Sequence, residues 1–250
     1  MTAAPAARPL GSSASSQSPL DGCAHLRERA DGDDDEIVRR IRLVPRPHPR
    51  LSRERSLRLT ARQREILDQL TELFAEGFAQ LTMADLAARL NCSLRTLYSL
   101  ATSRDELVLM VVDRNLWRIG RTATAAVAAS EGGVTVALDA IRSYLAAAHV
   151  AVSNTSEVFA RDMAAVPGGP ELRSAHASYL VAVTRELLEV AIERGEIAQV
   201  NTTAVARVIA SIGHHLAEPD VIATLHATPQ QAADEVVDLV LAGLAARSPA

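Results

Sequence analysis

The chain has 250 residues, of which 48% are hydrophobic and 22% are charged, a balance typical of a globular protein with a sizeable core. No apolar run approaches the roughly 18–20 residues of a membrane helix, and the N-terminus lacks the hydrophobic segment of a secretory signal. Cys23 and Cys92 allow at most one disulfide, which excludes a disulfide scaffold. We therefore expect a cytoplasmic protein that does not bind membranes.

The charge is unevenly distributed along the chain. All 26 basic residues are Arg, and ten of them lie between residues 37 and 64, where Glu54 is the one acidic residue. This segment carries a charge of +9, and the remainder carries −13, which gives the net charge of −4. Such a segment is typical of a nucleic-acid site, because neutralised phosphates release their counterions. The alternative is a solvated tail that pairs loosely with the acidic run before it.

Residues 1–52 are rich in Ala, Ser, Pro, Gly and charge, and three prolines lie between Val44 and Arg50. This composition predicts a disordered N-terminal extension, because it buries little apolar surface and the prolines prevent a helix. From about residue 58 the pattern is helical, with no sustained alternation of period two. The sequence thus predicts an all-α fold.

The first predicted helices are marked by capping residues. The first helix ends near Glu76, before Gly77, which suits a left-handed position. Asp85 completes a capping box at the start of a short second helix, and Asn91 in the next turn tolerates a positive φ. The predicted N-caps of the four helices are Thr60, Thr82, Ser93 and Ser103. Two short helices joined by a tight turn are typical of a helix-turn-helix.

The segment TMADLAARLNCSLRTLYSLATSRDEL, from Thr82 to Leu107, resembles the DNA-binding domain of the tetracycline-repressor-type (TetR) family of regulators. The resemblance covers about residues 62–110. The matching positions are Thr82, Leu86, Ala87, Ser93, Thr96, Leu97, Tyr98, Arg104 and Leu107. The chain departs from the family pattern at Asn91, Cys92, Arg95, Ser99 and Ala101, where the small Ala101 replaces a packing Phe.

The resemblance implies three regions: the extension over 1–52, a helix-turn-helix domain over 53–104, and a helical effector-binding and dimerisation domain over 105–247. The third helix is expected to enter the major groove, where Arg95 is the side chain able to bind guanine through two hydrogen bonds. Leu94 can contact a thymine methyl, and Tyr98 and Arg104 inherit phosphate contacts from the family. The predicted DNA-binding residues are Thr82, Ser93, Leu94, Arg95, Thr96, Tyr98, Ser99 and Arg104.

The resemblance also implies an effector pocket among the middle helices. Few polar groups occur there, so we expect a small apolar or aromatic effector. The predicted lining residues are Trp117, Tyr144, His149, Phe159, Met163, His176 and Tyr179. In the family the last two helices form a four-helix dimer interface, and the corresponding helices here, near 201–216 and 228–245, carry apolar stripes.

The expected function is a ligand-responsive dimeric regulator, in particular a repressor that blocks a near-palindromic operator. The alternative is a helical interaction protein with the same fold and weakened or lost DNA readout. No catalytic or nucleotide-binding motif is present, so neither an enzyme nor a cofactor or metal is expected. Because the Arg-rich segment leads into the first helix, it is expected to follow DNA, and deleting residues 1–52 is expected to weaken DNA binding.

Overall fold

The computed structural model describes residues 36–129, 136–153, 156–216, 218–222 and 224–247. Within these ranges the chain is all α, as predicted, and contains no strand. None of the helices described there is long and apolar enough to cross a membrane. The helices are α1 (36–43), α2 (Arg53–Arg58), α3 (Ala61–Ala75), α4 (Met83–Arg89), α5 (Leu94–Leu100), α6 (Arg104–Ala128), α7 (Ala137–Ser153), α8 (Glu157–Ala165), α9 (Gly169–Glu193), α10 (Thr202–Leu216), α11 (Pro219–Ile222) and α12 (Pro229–Ala245).

The predicted caps of the first helices are confirmed. Thr60 and Thr82 form capping boxes with Gln63 and Asp85, and the hydroxyls of Ser93 and Ser103 accept hydrogen bonds from the first turns of α5 and α6. These bonds satisfy backbone N–H groups that a helix start leaves without partners. Asn91 and Gly77 take φ values of 47° and 109°, as expected of residues that tolerate the left-handed region.

Helices α3, α4 and α5 form a small N-terminal unit, here called the head. Its core joins the apolar faces of these helices to the first turns of α6. Met163 of α8 and Leu172 of α9 also belong to this core. Leu100 and Ala101 are each 1% exposed, so the small Ala101 is enclosed beside Leu100.

Helices α6, α7, α9, α10 and α12 form the larger unit, here called the body. Its core is lined by Tyr144 of α7, Leu187 of α9, Ile209 of α10 and Leu241 of α12, which are all buried. The apolar stripes predicted on α10 and α12 therefore face inward for the most part. Val208, Val236 and Leu239 are exceptions, since they remain exposed on the outer side.

The prediction of disorder is wrong for residues 36–52, whereas residues 1–35 lie outside the described ranges. Residues 36–43 form α1, and Ile37 and Ile41 are fully buried in the body core. Val44 is buried there too, and Leu51 is buried in the head core. The prolines exclude a helix only after Val44, and the apolar residues before them have helical spacing that buries one face. We call residues 36–52 the arm.

The head is fixed to the body by a buried carboxylate of α8. Asp162, which is 6% exposed, accepts hydrogen bonds from the backbone N–H groups of Phe78 and Ala79 at 2.6 and 2.8 Å. Gly77 beside them permits the close approach, because a Cβ there would lie 2.5 Å from Val158. Arg104 at the start of α6 donates to the carbonyls of Phe78 and Leu81. The loop between α3 and α4 is thus held from two sides.

Candidate nucleic-acid interface and ligand cleft

Helix α5 presents one face to the head core and the other to solvent. Leu97 and Leu100 are buried at 0% and 1% exposure, whereas Leu94 and Tyr98 are 44% and 53% exposed. Arg95 is also exposed. A seven-residue helix with two buried leucines on one side is rigidly held, and its outer side is free to contact a partner. This outer side is called the reading face.

Two polar side chains of the reading face lack intramolecular partners in the part of the chain that the structure describes. Within the described residues, neither the Arg95 guanidinium nor the Tyr98 hydroxyl has a hydrogen bond or an ion pair. An exposed Arg, Tyr and Leu on one short helix provide a charged donor, a hydroxyl and an apolar contact. These groups match a guanine edge, a phosphate and a thymine methyl.

Of four other predicted DNA-binding residues, Thr82 and Ser93 are N-caps, and Thr96 and Ser99 have hydroxyls bonded within the protein. The hydroxyl of Thr82 donates to Asp85 Oδ2 at 2.6 Å, which lowers the pKa of Asp85, and its oxygen accepts from the Asp85 N–H at 3.2 Å. The hydroxyls of Ser93 and Thr96 lie 2.9 Å apart at the start of α5. Ser99 accepts from Gln63 of α3 at 3.0 Å and donates to the Thr96 carbonyl at 2.6 Å. Their established contacts position the helices.

The phosphate contact that the family resemblance predicts for Arg104 stays a prediction, and the structure shows its side chain 25% exposed and bonded within the protein. Its Nε donates to the Leu81 carbonyl at 2.6 Å, and Nη2 donates to the Phe78 carbonyl at 2.5 Å. Its third nitrogen lies 3.0 Å from Asp105, and the group stacks over the Phe78 ring at 5.6 Å. The reason is that two carbonyls of the loop between α3 and α4 and an aromatic face lie within reach of this side chain.

Two arginines that sequence reasoning does not single out hold the helix-turn-helix. Arg62 of α3 donates to the carbonyls of Leu90 and Asn91, at 2.7 and 3.3 Å, in the turn before α5. Arg55 of α2 donates to the carbonyl of Leu100 at the end of α5. Both are typical cationic contacts to carbonyls at a helix end. Both lie in the Arg-rich segment, which the sequence analysis does identify. Charge density, however, suggests contacts with DNA there and does not predict contacts with carbonyls of the protein.

The arm does not follow the head toward DNA over the described residues. Arg40 pairs with Glu186 and Glu193 of α9 at 2.8 Å each, and the hydrogen bond that it donates to Glu193 raises the pKa of Arg40. Leu172, near the other end of α9, lies in the head core, and 21 residues of helix span about 30 Å. The start of the arm therefore lies at the far end of the body, which corrects the expectation for this part of the Arg-rich segment.

Between the arm, α6 and α9 lies a half-open cleft of about 390 Å³. Arg42 and Arg46 of the arm and Arg121 of α6 line it together with Trp117 and Tyr179. The rest of its wall consists of small residues of α6, which are Gly120, Thr124, Ala125, Ala128 and Ala129. Sequence reasoning predicts the two aromatic residues, but it misses the three arginines, two of which belong to a segment expected to be disordered.

The structure does not bring the seven predicted effector residues together. Trp117 and Tyr179 line the cleft, with their rings 6.0 Å apart, and His176 and Tyr144 lie behind them. Burial raises the pKa of Tyr144. His149 instead contacts Asp234 of α12 and packs on Gly213 of α10. Phe159 and Met163 lie in the head core, because α8 packs under Phe78. A single pocket for all seven is therefore wrong.

A buried carboxylate connects the arm to the cleft aromatics. Asp113 of α6 is 1% exposed and accepts a hydrogen bond from the Arg50 backbone N–H at 2.8 Å. Its other oxygen lies 2.8 Å from Nε2 of His176, whose ring is 5.4 Å from that of Trp117. One side chain thus joins the arm, α6 and α9. Among the described residues, no cluster of three His, Cys, Asp or Glu residues is arranged to hold a metal ion.

Two family models match the chain. Residues 66–111 match the model described as bacterial regulatory proteins of the tetR family, and residues 134–244 match a tetracyclin repressor-like C-terminal domain. None of the curated protein sequences matches the chain significantly.

Several solved structures share the fold. The TetR family transcriptional regulator PfmR from Thermus thermophilus is 20% identical, with a TM-score of 0.51 over 72% of this chain and 98% of that one. The fatty acid degradation regulator FadR from Bacillus halodurans is 14% identical, with a TM-score of 0.57 over 75% and 98%. The ketosteroid transcriptional regulator KstR2 of Mycobacterium tuberculosis is 18% identical, with a TM-score of 0.51 over 75% and 96%.

Proposed function

The chain belongs to the TetR family of DNA-binding transcriptional regulators, and we propose that it is a dimeric, ligand-responsive repressor that blocks a near-palindromic operator. The observation that carries the DNA-reading part is the reading face of α5. Leu94, Arg95 and Tyr98 are exposed on a helix that buried leucines and two arginine clamps hold in place. Repression then follows from occupation of a promoter and needs no chemistry.

A selection from random duplexes, followed by fluorescence anisotropy with the preferred duplex, tests this proposal. We expect Arg95→Ala to weaken binding by about 10- to 100-fold and to relax the preference at one base pair of each half-site, because a two-bond contact to guanine discriminates by about 1–3 kcal/mol. Tyr98→Phe should weaken binding to all duplexes alike, because it removes a phosphate contact.

Arg185→Ala, at an exposed arginine of α9, is the matched control and should leave the affinity unchanged. Equal affinity of the unaltered chain for the selected and a scrambled duplex would overturn the proposal. That outcome would favour the second candidate, an interaction protein that has lost specific readout.

The dimer part of the proposal is supported by the outer face of α10 and α12. Val208 of α10 and Val236 and Leu239 of α12 are 59%, 37% and 68% exposed. Gly243, one turn beyond Leu239, is open to solvent, and a Cβ there would meet no atom within 4 Å. Apolar and small residues on two adjacent helices are suited to close packing against a second copy. A dimer would also pair two reading faces for half-sites one turn apart.

Analytical ultracentrifugation of Leu239→Glu tests the dimer. We expect the variant to sediment as a monomer, because a charge would be buried at the centre of the interface. Leu43→Glu, at an equally exposed leucine of α1, should remain dimeric. A monomeric unaltered chain at micromolar concentration would contradict this part. The ligand response would act by population shift, with the ligand favouring a separation of the reading faces that does not fit DNA.

A further inference from the structure

The cleft between the arm and the body has an unusual combination of lining groups. Three guanidinium groups, of Arg42, Arg46 and Arg121, line it, and no acidic side chain is among its lining residues in the described chain. None of the three arginines has an ion-pair partner among the described residues. This contrasts with Arg40, which two glutamates neutralise. The cleft is therefore a local concentration of positive charge on a chain whose net charge is negative.

The wall opposite the arm is apolar and open. Trp117, Gly120, Thr124 and Ala128 follow one another at intervals of three or four residues, so they share one face of α6. A Cβ placed on Gly120 would meet no atom within 4 Å, which means that the space beside it is not filled by protein. Arg46 lies over the Trp117 ring at 6.0 Å, so charge and aromatic surface meet at one point.

We propose that this cleft binds an amphipathic organic anion, whose carboxylate pairs with the arginines of the arm and Arg121 while its apolar body lies along Trp117 and the small residues of α6. Guanidinium groups match a carboxylate through paired hydrogen bonds. The volume of about 390 Å³ lies within the range of small-molecule sites. The expected ligand thus carries a charge in addition to the apolar or aromatic character predicted from the sequence, because the arm supplies arginines that the middle helices lack.

This inference deepens the ligand response in the proposed function, and a test without DNA separates the two. Trp117 is the sole tryptophan of the chain and lines the cleft, so its fluorescence reports binding directly. The full-length protein is titrated with decanoate and, in parallel, with decanol, which has the same chain without the charge. We expect decanoate to change the Trp117 emission with an affinity about tenfold or more above that of decanol.

Two kinds of variant separate the contribution of the arginine charges to ligand binding from that of the open space in the cleft. Arg46→Gln and Arg121→Gln should each lower the affinity for decanoate by about tenfold and leave that for decanol within about twofold. Gly120→Leu should abolish the response to both compounds, because its side chain occupies the cleft, while circular dichroism shows an unchanged helical fold. Arg161→Gln, at an exposed arginine of α8 that does not line the cleft, is the charge control and should titrate like the unaltered chain.

Equal affinities for decanoate and decanol in the unaltered protein would overturn the proposal. Unchanged decanoate binding in both arginine variants, or in Gly120→Leu, would overturn it as well. Neither result would bear on the affinity for the selected DNA duplex, which is measured separately. Decanoate binding that is weakened by Arg46→Gln and Arg121→Gln and abolished by Gly120→Leu would establish the cleft as an anion site.

Discussion

The arm and the reading face are both rich in exposed polar groups, but they use them differently. In the arm and α2, Arg40 pairs with two glutamates and Arg55 with a helix-end carbonyl, whereas Arg42 and Arg46 line the cleft without an ion-pair partner among the described residues. On the reading face, Arg95 and Tyr98 have no such partner in the described structure. A guanidinium that is already paired must lose that partner before it binds DNA, whereas an unpaired one loses only water. Pairing together with position in the fold, and not charge density along the sequence, therefore favours α5 as the DNA contact that we propose.

The largest expected effect concerns the integration of the arm into the body. Ile41→Ala should lower the free energy of unfolding by about 2–5 kcal/mol, because it leaves a cavity at a fully buried position. Chemical denaturation monitored by circular dichroism measures this. Leu43→Ala, at a leucine that is 72% exposed two residues away, should change the stability by less than about 0.5 kcal/mol. Equal effects of the two substitutions would show that the arm is not packed on the body.

The second prediction tests the anchor of the arm. Asp113→Ala should lower the free energy of unfolding by about 1–3 kcal/mol, because it leaves the Arg50 N–H and the His176 ring without their acceptor in a buried site. Thermal and chemical denaturation measure the loss. Asp139→Ala, at an exposed carboxylate of α7, is the control. A loss no larger than that of the control would contradict the anchoring role.

A smaller effect is expected where α2 contacts the reading helix. Arg55→Gln should lower the stability by about 0.3–1 kcal/mol, the size of a cationic contact at a helix C-terminus. Hydrogen exchange of the α5 amides should become faster than in the unaltered chain. Arg58→Gln, which removes only an exposed pair with Glu54, should leave the exchange of α5 unchanged. Faster exchange in both variants would speak against a specific clamp.

The smallest effect is expected on DNA binding when arginines of α1 are neutralised. The double variant Arg39→Gln with Arg42→Gln should bind the selected duplex within about twofold of the unaltered chain, with the same slope of log K against log salt, because α1 lies at the far end of the body. Anisotropy titrations at several salt concentrations measure the slope. A slope reduced by about one for each arginine would show that these arginines contact DNA phosphates.

Much of the head was predictable because its information is local. Thr60, Thr82, Ser93 and Ser103 are capping residues whose partners lie three residues away, so each helix start can be inferred from a few letters. The resemblance of Thr82 to Leu107 then fixed the reading helix. The structure adds that Tyr98 is exposed beside the buried Leu97.

The arm and the cleft depend on contacts between distant segments. Ile37 and Ile41 form a helical stripe, but the acidic run before them and the prolines after them dominated the composition. Trp117 and Arg46 are 71 positions apart and meet only when the arm packs on α6. Arg104 illustrates a further limit, since the carbonyls that bind it belong to a loop whose path the family pattern does not specify.

The buried Asp162 has a consequence for transplanting the head onto another protein. Asp162 belongs to α8, but its carboxylate accepts hydrogen bonds from two backbone N–H groups of the segment after α3. A graft of α3, α4 and α5 onto a foreign body would leave those donors without an acceptor, and a graft of a foreign head would leave a charge enclosed without donors. Chimeras that exchange α8 together with the head should therefore express and fold better than chimeras cut at the start of α6.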